Sequence, residues 1–90
     1  MISATTRPKL ASKARLRFDR KSTRYMLLYP EKGLVLNGTA ADTVKLFTGE
    51  NTVGQIAVEL SAKYQQDPKL IERDVISLVG SLAERGLVHE

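Results

Sequence analysis

The sequence predicts an α+β domain of the winged helix-turn-helix-like kind, in which an N-terminal three-stranded antiparallel sheet is followed by a three-helix bundle. Three observations predict this class: polar and apolar residues alternate early in the chain, apolar residues recur at helical spacing later, and helix-capping residues separate the segments. The chain has 90 residues, enough for one core of modest size. A single domain without a deep substrate cavity is therefore expected.

The predicted strands cover residues 14–19, 24–29 and 33–36. In the first, "RLRF" alternates polar and apolar residues, so Leu16 and Phe18 are expected to face the core. The second, "RYMLLY", is apolar on both faces, as in a central strand. Pro30 ends it because proline has no amide hydrogen, and "PEKG" predicts a tight turn into the third. The first and third strands then become the edges of the sheet.

The predicted helices cover residues 39–48, 52–65 and 68–85. Asn37 and Thr39 are capping candidates for the first helix, and Gly49 is suited to end it. The second helix begins at Thr52, which forms a capping box with Gln55.

The third helix is the longest and has clear ends. Asp67 is its predicted N-cap, Pro68 suits the first helical position, and Gly86 suits the end. An apolar stripe runs along it at helical spacing, formed by Ile71, Val75, Leu78, Val79 and Leu82.

Residues 1–12 carry Ser, Thr, Lys and Pro without periodicity, and they are predicted to form a flexible basic arm before a domain that spans residues 13–90. Charge is uneven along the chain: residues 1–32 hold nine Lys or Arg against two Asp or Glu, whereas the remainder holds five against eight. Such opposite-signed parts favour a role in interaction.

Several classes of enzyme are excluded by residue type. The chain has no cysteine, one histidine at position 89, and no glycine motif that would cradle a phosphate. Asp67, Glu72 and Asp74 lie close together, but carboxylates at a helix start usually cap it. The sequence therefore predicts a non-catalytic protein without a metal or cofactor. It also lacks an apolar run of signal-peptide or membrane-span length, which predicts a cytoplasmic protein that does not bind membranes.

Two functions fit a small domain of this kind. As a winged-helix protein it would place the third helix in a DNA groove, but the exposed positions of that helix lack Asn and Gln and include acidic residues. Alternatively, an extended peptide could pair with the free edge of the third strand. That edge could also be covered by the packing of a helix or by a second copy of the chain, so both a monomer and a homodimer are compatible with the sequence.

Four segments carry a family resemblance: "RLRFD", "YMLLYPEKGLVLNGTAADTVKLFTGENTVGQIAVEL", "KY" and "DVISLVGSLAERGLV". They resemble the D proteins of pyrroloquinoline quinone (PQQ) biosynthesis, the PqqD family, over residues 14–88. The Pro-Gly that usually precedes the first strand is replaced here by Ser12-Lys13-Ala14.

The resemblance implies a peptide chaperone, a recognition element for ribosomally synthesised and post-translationally modified peptides (RiPPs). Such a protein binds a precursor peptide of the PqqA type and presents it to a radical S-adenosylmethionine (SAM) enzyme of the PqqE type, which joins a glutamate to a tyrosine. No cofactor is implied for the D protein itself, and no nucleic acid is expected as its partner.

The resemblance also implies where the peptide docks: as an added strand on the third strand and against the third helix. The strand contacts are predicted at Leu34, Val35, Leu36 and Asn37, chiefly through the backbone. The helix contacts are predicted at Arg73, Val75, Ser77, Leu78, Ser81, Leu82 and Arg85, although the apolar members also fit a purely structural role in the core. The basic first third of the chain motivates a further hypothesis, that Arg15 and Arg17 contact the enzyme.

Overall fold

The structure, a computed structural model, describes residues 1–30 and 32–90. The predicted class is confirmed: a three-stranded antiparallel sheet is followed by three helices, and two short terminal strands are added to them. The elements are β1 Lys9–Leu10, β2 Arg15–Asp19, β3 Arg24–Tyr29, β4 Lys32–Leu36, α1 Gly38–Val44, α2 Val53–Tyr64, α3 Pro68–Glu84 and β5 Val88–His89.

The main sheet has the order β2-β3-β4, so the central position predicted for "RYMLLY" is confirmed. Its register places Leu16, Leu27 and Leu34 in one cross-strand row. Leu27 is fully buried at the middle of this row, and the other two are partly buried against the same core. This face of the sheet therefore packs on the helices, and the opposite face is directed outward.

The helical part of the core is formed by stripes at helical spacing. On α2 the buried residues are Val53, Ile56, Ala57 and Leu60, and on α3 they are Ile71, Val75, Val79 and Leu82. Both helix starts have the predicted capping. Thr52 and Gln55 form the reciprocal capping box, and the Asp67 side chain accepts a hydrogen bond from the amide of Lys69. No helix within residues 1–30 and 32–90 is long and apolar enough to cross a membrane.

The expectation of a flexible arm at residues 1–12 is wrong for most of the arm. Lys9–Leu10 pairs antiparallel with Val88–His89, and Pro8 and Ala11 are buried. The preceding residues lie against the start of α2, where the carbonyls of Ala4 and Thr6 accept hydrogen bonds from the first helical amides. These amides have no partner inside their own helix, so the segment satisfies groups that would otherwise be left open.

The first helix is shorter than predicted, since it ends at Val44 and not at residue 48. The following residues form tighter turns, with hydrogen bonds from Leu46 to Thr43 and from Phe47 to Val44. The carbonyl of Phe47 instead accepts a hydrogen bond from the amide of Leu10. Pairing with the N-terminal strand therefore replaces the last helical turn that the sequence pattern predicted.

Phe18 is the other correction, because it was expected to face the core and is 50% exposed. It lies near the end of β2, opposite Tyr25, and the two rings meet edge to face with centroids 5.1 Å apart. The alternation places Phe18 on the same face as Leu16, and its row continues through Tyr25 to the buried Leu36, but the core does not extend over the β2 edge at this end of the sheet. The aromatic pair stabilises it locally.

Candidate functional site

The free edge of β4 is the first feature of the site. Strand β4 pairs with β3 on one side, and no strand in residues 1–30 or 32–90 pairs with it on the other. Tyr29 and Lys32 pair with only two residues between them, which makes them the hydrogen-bonded closing pair of a hairpin. Hydrogen-bonded and non-hydrogen-bonded pairs alternate along an antiparallel ladder. Consequently Leu34 and Leu36 bond to β3, whereas Gly33 and Val35 direct their amides and carbonyls toward the open edge.

The side chains of β4 divide between two faces. Leu36 is buried and Leu34 is half-buried against the core, whereas Val35 is 52% exposed on the outer face. Gly33 lies on the same outer face, beside the side chains of Met26 and Leu28. A Cβ atom at this position would lie only 3.0 Å from Met26 and 3.1 Å from Leu28. The strand thus offers backbone groups along its edge, and a strand added there would place alternate side chains toward the helices.

A groove begins at the residue after β4 and runs between α1 and α3; we call it the α1–α3 groove. Its volume is about 390 Å³. The residues that line it come from the start of α1, the end of α2 and one side of α3: Asn37, Thr39, Ala40, Thr43, Tyr64, Gln66, Ile71, Asp74, Val75 and Leu78. The apolar side chains lie mainly on α3 and the polar ones mainly on α1 and the α2–α3 connection.

The start of α1 holds one end of this groove in place. Asn37 is the N-cap, and its side chain accepts a hydrogen bond from the amide of Ala40 at 2.8 Å. The hydroxyl of Thr43 donates to the carbonyl of Thr39 at 2.8 Å. Because these polar groups are engaged within α1, the wall that they form is fixed in position.

A charged network joins α1 to the end of α2, which also borders the groove. The Asp42 carboxylate accepts hydrogen bonds from Lys63 at 2.8 Å and from the hydroxyl of Tyr64. These two bonds, that from Lys63 first, lower the pKa of Asp42. The bond to Asp42 also raises the pKa of Tyr64. Since its hydroxyl is already used, Tyr64 offers the groove a ring and not a free donor.

A second hollow lies beside the C-terminal end of β4, between the ends of the three main strands and the start of α1. It is lined by Phe18, Thr23, Arg24, Tyr25, Val35, Leu36, Asn37 and Gly38. The ammonium group of Lys45 lies 4.4 Å from the centroid of the Tyr25 ring and donates to its hydroxyl at 3.1 Å. Asn37, the N-cap of α1, therefore lines both this hollow and the α1–α3 groove.

The residues predicted on α3 separate into three groups. Val75 and Leu82 are core residues, 2% and 1% exposed, although Val75 also contributes to the groove wall. Leu78 is half-buried and lines the groove. Ser77, Ser81, Arg73 and Arg85 are exposed.

Helical geometry shows which of the exposed α3 residues lie on the same side of the helix as the groove residue Leu78. Ser81 lies three residues after Leu78, so it lies on the adjacent side of the helix, beyond the groove. Arg85 lies two turns after Leu78 on the same side and caps the C-terminus of the helix. Arg73 is about 140° around the axis from Leu78 and points away from the groove. The geometry thus does not bring Arg73 together with the other predicted contacts.

Arg15 and Arg17 lie away from the groove. Their cross-strand partners are Leu28 and Met26, so all four side chains share the outer face of the sheet. Both arginines are exposed, and Met26 and Leu28 are half-buried between β2 and β4. We call this surface, formed by Arg15, Arg17, Met26 and Leu28, the outer sheet face.

Sequence reasoning did not assign the α1 and α2 residues to the groove, and it interpreted Asp74 as one of several carboxylates at the start of the third helix. The alternation in β4 predicts an open edge, but it does not say which helix starts beside it. The one available signal was that Asp74 precedes Leu78 by four residues and so shares its face of α3. In the described part of the chain, no group of three or more His, Cys, Asp or Glu residues is arranged to hold a metal ion.

A winged-helix-like α+β domain whose sheet edge opens beside a groove belongs to the class of small recognition domains. A family model described as coenzyme PQQ synthesis protein D matches residues 24–88. The chain belongs to this family, the PqqD family, and the resemblance noted in the sequence is confirmed.

Two curated relatives illustrate the similarity. The chain is 39% identical over 88 residues to the bifunctional coenzyme PQQ synthesis protein C/D of Methylorubrum extorquens. The aligned region covers 98% of this chain but only 24% of that longer protein. It is 35% identical over 89 residues to the PqqA binding protein of Rhodopseudomonas palustris, with 99% of this chain and 87% of the relative covered. The match thus extends over nearly all of this chain and of the second relative.

A solved structure confirms the fold. The NMR structure of the PqqD truncation of PqqCD from Methylobacterium extorquens superposes with a TM-score of 0.89 at 36% identity, covering 100% of this chain and 96% of that one. That protein is described as a functional and stand-alone recognition element for ribosomally synthesised and post-translationally modified peptides. The three-stranded sheet and three-helix order are therefore shared with a member of the family.

Proposed function

We propose that this protein binds a ribosomally made precursor peptide of the PqqA type by strand addition and presents it to a radical SAM enzyme of the PqqE type for glutamate–tyrosine cross-linking. It acts in PQQ biosynthesis as a non-catalytic chaperone in the cytoplasm, as a monomer or a homodimer. The observation that carries the proposal is the open edge of β4 beside the α1–α3 groove.

The relatives support the identity of the ligand. A protein 35% identical to this chain is named a PqqA binding protein, and a structure 36% identical to it is described as a recognition element. Both matches cover nearly the whole chain, including β4 and α3. The same type of peptide is therefore the expected ligand here.

The proposed contacts follow from the geometry of the edge. The peptide backbone bonds to Gly33 and Val35, and its inward side chains follow Leu34 and Leu36 toward Leu78. Main-chain hydrogen bonds supply affinity in this mode of recognition, and pockets for alternate side chains supply specificity. Of the residues predicted from the sequence, this arrangement retains Leu34, Val35, Leu36, Asn37, Val75, Leu78, Ser81 and Arg85.

The enzyme is proposed to contact the outer sheet face. Arg15 and Arg17 are exposed there beside half-buried apolar side chains. An interface of this composition suits a partner patch with acidic groups around an apolar centre. Because the peptide occupies the edge and not this face, both partners can be held together.

The ligand is tested by titrating the isotope-labelled protein with the precursor peptide and, in parallel, with duplex DNA at physiological salt. Saturable peptide binding with amide shifts at residues 33–37 and on the groove side of α3 is expected. Salt-sensitive DNA binding without a peptide response would instead favour a winged-helix DNA-binding protein, the other function considered for this fold.

The enzyme contact is tested by reversing both charges, Arg15→Glu with Arg17→Glu. This variant is expected to lose the ternary complex in size-exclusion chromatography while keeping its peptide affinity. Arg20→Glu with Lys21→Glu is the matched control, since it makes the same change in net charge in the β2–β3 turn. An intact ternary complex in the first variant would disprove the contact.

A further inference from the structure

We propose that Asp74 is a specificity-determining residue, which selects a Lys or Arg side chain of the bound peptide in the α1–α3 groove. This inference rests on the proposed function, because the groove needs a peptide on the β4 edge to be filled. It goes further by assigning the chemistry of one peptide residue to one side chain of the protein.

The charge of the groove is the first argument. Asp74 is the only charged residue among the described ones that line it. The rest of the lining is apolar or neutral, with Ile71, Val75 and Leu78 on the same helix. A Lys or Arg fits such a surface because its aliphatic stem packs on apolar side chains while its charged end reaches a carboxylate.

Asp74 also has no cationic partner within 4 Å in the described part of the chain. The nearby carboxylate of Asp42 contrasts with it, since Lys63 and Lys45 lie 2.8 and 3.7 Å from its oxygens. These two lysines are thus held by Asp42. The Asp74 carboxylate is therefore open to a cation supplied by a ligand.

A structural role within α3 does not account for Asp74. It lies six residues after Pro68, well beyond the first turn, where a carboxylate would offset the helix dipole. Its neighbours three and four residues away are Leu70, Ile71, Ser77 and Leu78, so no ion pair can form along the helix. A position with these neighbours leaves the carboxylate available to a ligand.

The remaining polar groups of the groove leave Asp74 as its strongest acceptor. The side-chain oxygen of Asn37 accepts from Ala40, and the Tyr64 hydroxyl donates to Asp42. Gln66 and Thr39 contribute neutral side chains. An ionised acceptor forms stronger hydrogen bonds than these neutral groups, so a cationic donor gains most at Asp74.

The test is a double-mutant cycle between the protein and a PqqA-type precursor peptide, measured by isothermal titration calorimetry at low salt. Asp74→Asn keeps the shape of the side chain and removes its charge, and Glu84→Gln is the matched control on the exposed surface of the same helix. On the peptide, each Lys or Arg is replaced singly by Met. Asp74 is exposed in the free protein, so we expect Asp74→Asn to weaken binding about 2- to 5-fold, the range of an exposed ion pair.

The outcomes separate the inference from the proposed function. One Lys→Met or Arg→Met peptide is expected to bind Asp74→Asn and the unaltered protein equally, and Asp74→Lys is expected to regain affinity for the same peptide with Glu at that position. If the unaltered protein binds the peptide but every cycle is additive, or if Glu84→Gln weakens binding as much, the role of Asp74 is refuted. If the unaltered protein binds no peptide, the proposed function itself fails.

Discussion

The Val35→Pro substitution tests the open edge of β4 directly. The alternation of the β3–β4 ladder directs the amide of Val35 outward, and proline removes that amide while its ring occupies the place of the incoming carbonyl. Proline is tolerated on an edge strand where its nitrogen faces solvent, so the fold is expected to remain intact. The predicted effect is therefore on binding and not on folding.

The magnitude follows from the hydrogen bond that is lost. One backbone hydrogen bond contributes about 0.5–1.5 kcal/mol net, and a buried carbonyl left without a donor costs about 1–3 kcal/mol. Because the edge is partly exposed, we expect a total of about 1–3 kcal/mol, which corresponds to about a 5- to 150-fold higher dissociation constant. Val35→Ala is the control, since it shortens a side chain that is 52% exposed and keeps the amide.

The assay is calorimetric titration of both variants with the precursor peptide, with circular dichroism to check the fold. A folded Val35→Pro variant with unchanged affinity would refute the assignment of β4 as the docking edge. A Val35→Pro variant that loses its native circular dichroism would refute the hydrogen-bond alternation, because the amide would then be bonded to β3.

Three further predictions concern stability. Leu27→Ala removes a fully buried side chain from the central strand and is expected to lower the free energy of unfolding by about 2–5 kcal/mol in chemical denaturation. Deletion of residues 1–10 removes β1 and the buried Pro8, so it is expected to lower the free energy of unfolding by about 2 kcal/mol or more. An unchanged midpoint of chemical denaturation would contradict this expectation. Asp42→Asn removes a carboxylate whose pKa is lowered from 3.8 by hydrogen bonds from Lys63 and Tyr64, so its stabilisation is present above about pH 4 and is lost as the pH falls through the lower folded-state pKa. The melting temperatures of the unaltered protein and of Asp42→Asn should differ at pH 7 and converge in strong acid. A difference that does not depend on pH would show that the Asp42 charge is not the source of the stabilisation.

The sequence was sufficient where a segment's own pattern determines its structure. The central strand has the predicted bounds because "RYMLLY" is apolar on both faces and rich in aromatic and aliphatic residues, a pattern typical of a middle strand. The start of α3 was predicted because Asp67 and Pro68 suit the two first positions of a helix for separate physical reasons. The open edge of β4 followed from the short distance between its turn and the capping residue Asn37.

Long-range pairing could not be predicted in the same way. Strands β1 and β5 have two residues each, and two residues carry no periodicity from which a pairing could be inferred. The end of α1 depends on the same pairing, because the carbonyl of Phe47 bonds to Leu10 and not to a further helical turn. The α1 wall of the groove was missed for a related reason: the packing of α1 beside α3 depends on contacts between segments far apart in the chain.

These long-range contacts also affect which peptides the proposed site would bind. The N-terminal segment does not cover β4, because it pairs with β5 and lies against the start of α2. The edge that stays open is only five residues long, with Lys32 at one end, which limits its pairing with another copy of itself. Its backbone groups can bond to any extended peptide and so do not discriminate between sequences. Discrimination must then come from the adjoining groove, so substitutions in β4 should weaken all peptides alike, whereas substitutions at Asp74 should change the order in which they bind.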